Sequence, residues 1–164
     1  MEENRTESPI EYTAADFHIL KLKDVKGALL GVDFGDKRTG LAVCDVMRML
    51  SSGIGTISPG GIEKTADAIA ETAKNRGVTG IIIGHPINMD GSEGPRSKRA
   101  VKLARLLFER TGIPIGLFDE RMSTMNASRF LNETNTRGEK RKAVIDTLSA
   151  EIILQNAIDR LKNV

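Results

Sequence analysis

Short apolar runs bounded by turn residues alternate, along this chain, with stretches in which apolar residues return every three or four positions. Ala28-Leu29-Leu30-Gly31-Val32 closes on Asp33-Phe34-Gly35-Asp36, and Gly40-Leu41-Ala42-Val43-Cys44 follows a turn rich in Gly, Asp and Lys. That pattern predicts two hairpinned strands. Ile54-Gly55-Thr56-Ile57, ended by Ser58-Pro59-Gly60-Gly61, predicts a third strand. No helix directly follows Gly53-Ile54-Gly55, so this glycine pair reads as a turn and not as a phosphate loop. Ile62, Ala66, Ile69, Ala70 and Ala73 then recur at helical spacing until Asn75-Arg76-Gly77 stops them. Within Val78 to Gly84, the β-branched run Ile81-Ile82-Ile83 suits a strand buried on both faces. Pro95 opens a helix with apolar positions Val101, Ala104, Leu107 and Phe108 and a stop at Thr111-Gly112. Ile113 to Phe118 predicts a fifth strand, placed near an edge because Pro114 has no N–H to donate. Two helices end the chain, a short one near Met125–Leu131 and a long one from about Lys140 to Leu161. Residues 1–26 are polar and weakly periodic, and they read as an arm appended to one domain over residues 27–164.

Three antiparallel strands followed by helix, strand, helix, strand and helix predict an α/β domain. Its five-stranded mixed sheet carries helices on both faces. This order resembles the ribonuclease H-like architecture. The length of 164 residues fits one domain, and 40% hydrophobic with 28% charged residues fits an ordinary soluble globular protein. With 4% aromatic residues and no Trp, there is little material for base-stacking platforms. A net charge of +2 is too balanced to identify a nucleic-acid binder by itself. The lone Cys44 forms no intramolecular disulfide and reads as a small buried hydrophobe in a reducing compartment. Glu2, Glu3, Glu7, Glu11 and Asp16 leave no basic signal-peptide start, and no apolar run approaches the roughly 20 residues of a membrane span. The expectation is a cytoplasmic protein without a membrane partner.

Asp33 follows the first strand, and taken alone it reads as a turn carboxylate. Asp119-Glu120 follows the fifth strand, so acids from two strand ends can meet on one rim of the sheet. Asp146 shares a stripe with Ala150, Ile153 and Ala157 on the last helix, where an unpaired carboxylate is unfavourable. Carboxylates brought together repel, and a hard divalent cation with oxygen ligands, Mg²⁺ or Mn²⁺, relieves the repulsion. Two such ions about 3.5–4 Å apart are the apparatus of phosphodiester cleavage. His18 and His85 are too few and too far apart for zinc, and no Ser-His-Asp or Cys-His pattern suggests a side-chain nucleophile. The loop from Gly84 to Arg96 opens a helix, where amides can hold a phosphate or where Asn, Asp or Ser can simply cap. Arg96, Lys98, Arg99, Lys102 and Arg105 crowd the start of that helix, and Arg137, Lys140, Arg141 and Lys142 precede Asp146. Both groups suit a nucleic-acid backbone, and a solvated face explains the first equally well. Thr136 and Glu139 have the spacing of a capping box.

Four ordered segments resemble the YqgF family: Leu30 to Val43, Gly91-Ser92-Glu93-Gly94-Pro95-Arg96, Asp119-Glu120-Arg121-Met122-Ser123-Thr124, and Lys140 to Ala150. The resemblance spans roughly Leu29 to Leu161 and leaves out the arm. It implies a ribonuclease H-like nuclease with Asp33, Glu120 and Asp146 as catalytic acids and metal ligands, and with Asp119 as a substitute for Glu120. Lys37, Arg38, Arg96, Lys98, Arg121, Lys140, Arg141 and Lys142 are the expected nucleic-acid contacts. Many other ribonuclease H-like nucleases carry a carboxylate at the end of the fourth strand, where this chain has His85. The activity implied is processing of the 5′ end of pre-16S rRNA in ribosome biogenesis, with pre-ribosomal particles as partners and structured RNA as substrate. Resolution of branched DNA junctions is the alternative, and a noncatalytic RNA-binding assembly factor is a further one. The expectation is a monomer or a homodimer: a symmetric dimer with two active sites suits a four-way junction, whereas trimming an RNA end does not require one. Gly31-Val32-Asp33-Phe34-Gly35 with Thr39-Gly40 is also similar to the phosphate hairpin of actin-like ATPases and sugar kinases. Those proteins close two domains on a nucleotide, and this chain has room for one.

Overall fold

The structure, a computed structural model, describes residues 11–122 and 138–164. Five strands form one sheet: β1 (Leu29–Phe34), β2 (Thr39–Cys44), β3 (Ser51–Ile57), β4 (Gly80–His85) and β5 (Ile115–Asp119). Their order is β3-β2-β1-β4-β5. The first three strands run antiparallel, and β4 and β5 run parallel beyond β1. Side chains alternate along each strand, so β1 feeds two cores. Leu30 and Val32 join Ile81 and Ile83 under α1 (Ile62–Arg76) and α2 (Pro95–Thr111), packing on Ile69, Leu103 and Leu107. Leu29, Ala42, Ile82 and Phe118 meet Ala150, Ile153, Leu154 and Ala157 of α3 (Gly138–Lys162) on the opposite face. The mixed sheet covered on both faces is the predicted architecture. All six positions of β4 are buried, as its β-branched run requires. β5 lies at an edge, where the N–H missing from Pro114 is not needed. Cys44 is buried, and its Sγ accepts from the Leu29 N–H at 3.1 Å. Among the described residues no helix is long and apolar enough to cross a membrane. The helix expected near Met125–Leu131 lies outside the described residues.

Two readings of the sequence change. Gly53-Ile54-Gly55 is part of β3 and not a turn, because Leu41 pairs with Gly55 and Ala42 with Gly53, leaving Ile54 as an extra residue. This is a bulge, and Gly55 supplies its positive φ of 122°. The second change concerns the arm, whose residues Ala14–Phe17 and Ile19–Leu22 form two 3-10 turns. The Thr13 N–H donates to Asp16 Oδ2 at 2.7 Å to start the first turn. Phe17, Ile19 and Leu22 are buried, and His18 makes a parallel bridge with Leu117 beyond β5. The hydrophobic gain from these three side chains outweighs the polarity of their neighbours.

Leu22 is fully buried, with its methyl groups over the Gly80 and Gly116 backbones. Leu22→Ala is therefore expected to lower stability by about 3 kcal/mol in urea denaturation. A freely appended arm would give a change within about 0.5 kcal/mol.

Candidate active site

Asp33 is the penultimate residue of β1 and pairs with Gly40 of β2. A Cβ at Gly40 would collide with the carbonyl oxygen of Asp146. The bare backbone at Gly40 thus lets the Asp146 turn of α3 settle against β2, beside Asp33. From the far side of β1, β5 ends at Asp119 and the chain tightens into a 3-10 turn over Glu120–Met122. The Glu120 side chain folds back over β4, where a methyl group at Gly84 would fall 2.5 Å from its Oε1. Val32 of β1 pairs with Ile83, so Gly84 lies next to Asp33 across the ladder. A strand, a strand end and a helix thereby bring Asp33, Glu120 and Asp146 to the same rim.

Their electrostatics are linked through Asp33. Burial, then the Glu120 and Asp146 carboxylates, push its carboxyl up to about 7, while Arg96 pulls in the opposite direction. Burial also raises Glu120, with Arg96 opposing and Asp119 adding to the rise. Arg96, in the first turn of α2, is thus a countercharge shared by two of the acids. Arg38, in the β1–β2 turn, sets its Nε 3.0 Å from Asp146 Oδ2. Among the described residues, no three His, Cys, Asp or Glu side chains are gathered closely enough to hold one ion. The three acids share a rim without closing around a point.

Asp119, the alternative to Glu120, is engaged elsewhere. Arg121 grips it through Nε at 3.1 Å and Nη2 at 2.7 Å, which holds its carboxyl below the usual range. The same guanidinium reaches the Asn88 carbonyl at 3.4 Å, so Arg121, expected to touch nucleic acid, ties two loops together. His85 is buried at the end of β4, with Nε2 3.2 Å from Glu93 Oε1 but without the alignment of a hydrogen bond. Burial lowers its pKa, against the pull of Glu93 and Asp119.

Within the loop of residues 86–94, the Asn88 N–H donates to the Ser92 carbonyl at 3.0 Å and the Ser92 N–H to Asp90 Oδ1 at 2.9 Å. The helix begins after Gly94, which has no side chain to cap it. Asn88, Asp90 and Ser92 therefore fold the loop itself and leave the cap to backbone. Lys37, Arg96, Lys98 and Lys142 are exposed. The side chains of Lys140 and Arg141, and all of Arg137, lie outside the described residues. Sequence reasoning cast Arg96 and Arg38 only as phosphate contacts and missed both as countercharges in the rim. Their position beside motif acids was the available signal.

The profile of a protein family described as RuvX, Holliday junction resolvase, matches residues 27–160. A Bradyrhizobium protein (strain BTAi1) described as "Putative pre-16S rRNA nuclease" is 44% identical over 136 residues, covering 83% of this chain and 84% of its own. A Ruegeria protein of the same description is 41% identical over 137 residues, covering 84% and 87%. Among solved structures, RuvC of T. thermophilus in complex with a Holliday junction aligns with a TM-score of 0.52 at 11% identity. That alignment covers 77% of this chain and 91% of RuvC, and it is a likeness of fold. With four motifs in order, a ribonuclease H-like sheet and matches over most of its length, the chain belongs to the RuvX (YqgF) family.

Proposed function

We propose that this protein is a metal-dependent nuclease of the cytoplasm that hydrolyses phosphodiester bonds at the 5′ end of pre-16S rRNA during ribosome biogenesis. The observation that carries this reading is Asp33, whose carboxyl is raised to about 7 by burial and by the Glu120 and Asp146 carboxylates. Such crowding disfavours charge in the protein alone and favours a bound cation. The donors are all carboxylate oxygens, which suits Mg²⁺ or Mn²⁺. Asp33, Glu120 and Asp146 would hold the metal once their carboxylates, which share the rim without closing around a point, came together on it. When bound, paired divalent ions supply an activated water and neutralise charge on the leaving oxygen. The protein's own groups do the rest. In the protein alone Asp33 keeps a proton up to about pH 7, and it gives that proton up when a cation binds. Arg96 directs its charge at the rim, and Arg38 orients Asp146. Lys37 and Lys142, both exposed, offer cations to phosphates near the rim, and Lys98, Lys140 and Arg141 are read from the sequence as further phosphate contacts. The names carried by relatives about 44% identical support the choice of RNA.

The test offers the purified protein a labelled pre-16S precursor and a synthetic four-way junction side by side, with Mg²⁺, with Mn²⁺ and with a chelator. The precursor is expected to be cut when either metal is present and left intact with the chelator. Preferential cutting of the junction would move the protein to DNA recombination, and cutting of neither substrate would leave an RNA-binding assembly factor.

A further inference from the structure

We propose that the outer face of α2, completed by the segment before the first strand, is a second binding surface for a single strand of nucleic acid. A groove of about 340 Å³ runs between this segment and α2, lined by Glu11, Tyr12, Lys98, Val101, Lys102 and Arg105 among others. Residues three and four apart share one helix face, so Lys98, Lys102 and Arg105 form a single stripe. None of the three makes an ion pair among the described residues. Other cations of α2 differ. Arg99 lies over the Phe34 ring and 3.7 Å from Asp36, and Arg110 is paired with Glu63 and Asp67 at 2.6 Å each. The helix therefore satisfies some of its charges internally and leaves one stripe of like charges facing a groove. Neighbouring like charges on a helix repel, and a run of phosphates relieves them.

The groove and the rim lie on opposite sides of α2. Arg96, the countercharge of Asp33 and Glu120, stands two residues before Lys98 and so about 200° around the helix from it. At 1.5 Å per residue, Arg105 lies about 14 Å along the axis from Arg96. The opposite wall is Tyr12, wedged against Phe17 at 5.6 Å and Phe108 at 6.4 Å between ring centroids. The family match begins at residue 27, so this wall lies outside the matched residues. A strand that occupies both the rim and this face must pass around α2, so an RNA long enough to do so gains from the stripe, and in this alone the surface rests on the nuclease reading.

The test measures binding of a short and a longer single-stranded RNA to the full chain across a salt series, with a chelator present so that nothing is cut. Lys102→Gln combined with Arg105→Gln is expected to weaken binding of the longer RNA on the order of tenfold. The salt slope should fall by about 0.7 for each phosphate left without a cation. The advantage of the longer RNA over the short one should largely vanish. Glu11→Lys, which removes the groove's acid and adds a cation, is expected to tighten binding of the longer RNA, a result that no misfolded variant produces. Equal losses for the two RNAs, an unchanged slope, or no gain with Glu11→Lys would each overturn the proposal. Because cleavage is not read, failure of the nuclease reading would appear in the metal experiment and leave this result standing.

Discussion

Asp33→Asn is expected to cut no substrate and yet to unfold less readily than the parent protein. The carboxyl of Asp33 titrates near 7 in the folded chain against an ordinary value of 3.8. Between those values the folded state holds a proton that the unfolded state has released, so stability falls as pH rises through the interval. The contribution is intact below about pH 4 and fully lost above about pH 7, where the penalty reaches up to about 4 kcal/mol. Asparagine carries no charge to bury. Urea denaturation at pH 8 should favour the variant, and its advantage should shrink as the pH is lowered toward 4. Added Mg²⁺ should raise the melting temperature of the parent and leave the variant unmoved, since a ligand stabilises only the state that binds it. A variant less stable than the parent at pH 8 would remove the crowding of carboxylates on which the site assignment rests.

Gly40→Ala is expected to be among the most damaging single-methyl changes in the chain. The added Cβ would run into the backbone carbonyl of Asp146, and a helix backbone cannot swing aside as a side-chain tip can. Overpacking of this kind costs about 1–3 kcal/mol, and the relief available here is movement of α3 away from β2. Cleavage should fall further than stability, because the turn that shifts is the one carrying Asp146. Thermal unfolding together with cleavage rates measured well below the melting temperature separates the two effects. An alanine variant with parental melting and parental rate would mean that α3 does not press on β2 at this point.

What was legible in the sequence was whatever is written in a short window. Ile81-Ile82-Ile83 announces a strand buried on both faces, and the spacing of Asp146 with Ala150, Ile153 and Ala157 announces a carboxylate on an inward stripe. The motif acids on β1, after β5 and on α3 could be read for the same reason. The rest is nonlocal. Arg38 and Asp146 pair across 108 positions, and nothing near either residue signals the partner. Phe17, Ile19 and Leu22 are spaced by two and then three, which fits neither a strand nor a helix, so their burial was hidden from periodicity. Gly53 and Gly55 punctuate a sequence as a turn does. In the fold Gly55 makes a bulge, and Gly53 lies under Thr147, a residue far along the chain.

An open sheet has two flanks at which unpaired amides and carbonyls invite a foreign strand, and proteins that keep both bare tend to polymerise. Here the β3 flank is broken by its bulge, and the β5 flank is screened by the 3-10 turns and the bridge from His18 to Leu117. The segment that the motifs leave out is therefore a guard against aggregation. A chain shortened to begin at Ala28 would retain every motif acid and lose that guard, so solubility, before chemistry, is what the truncation endangers.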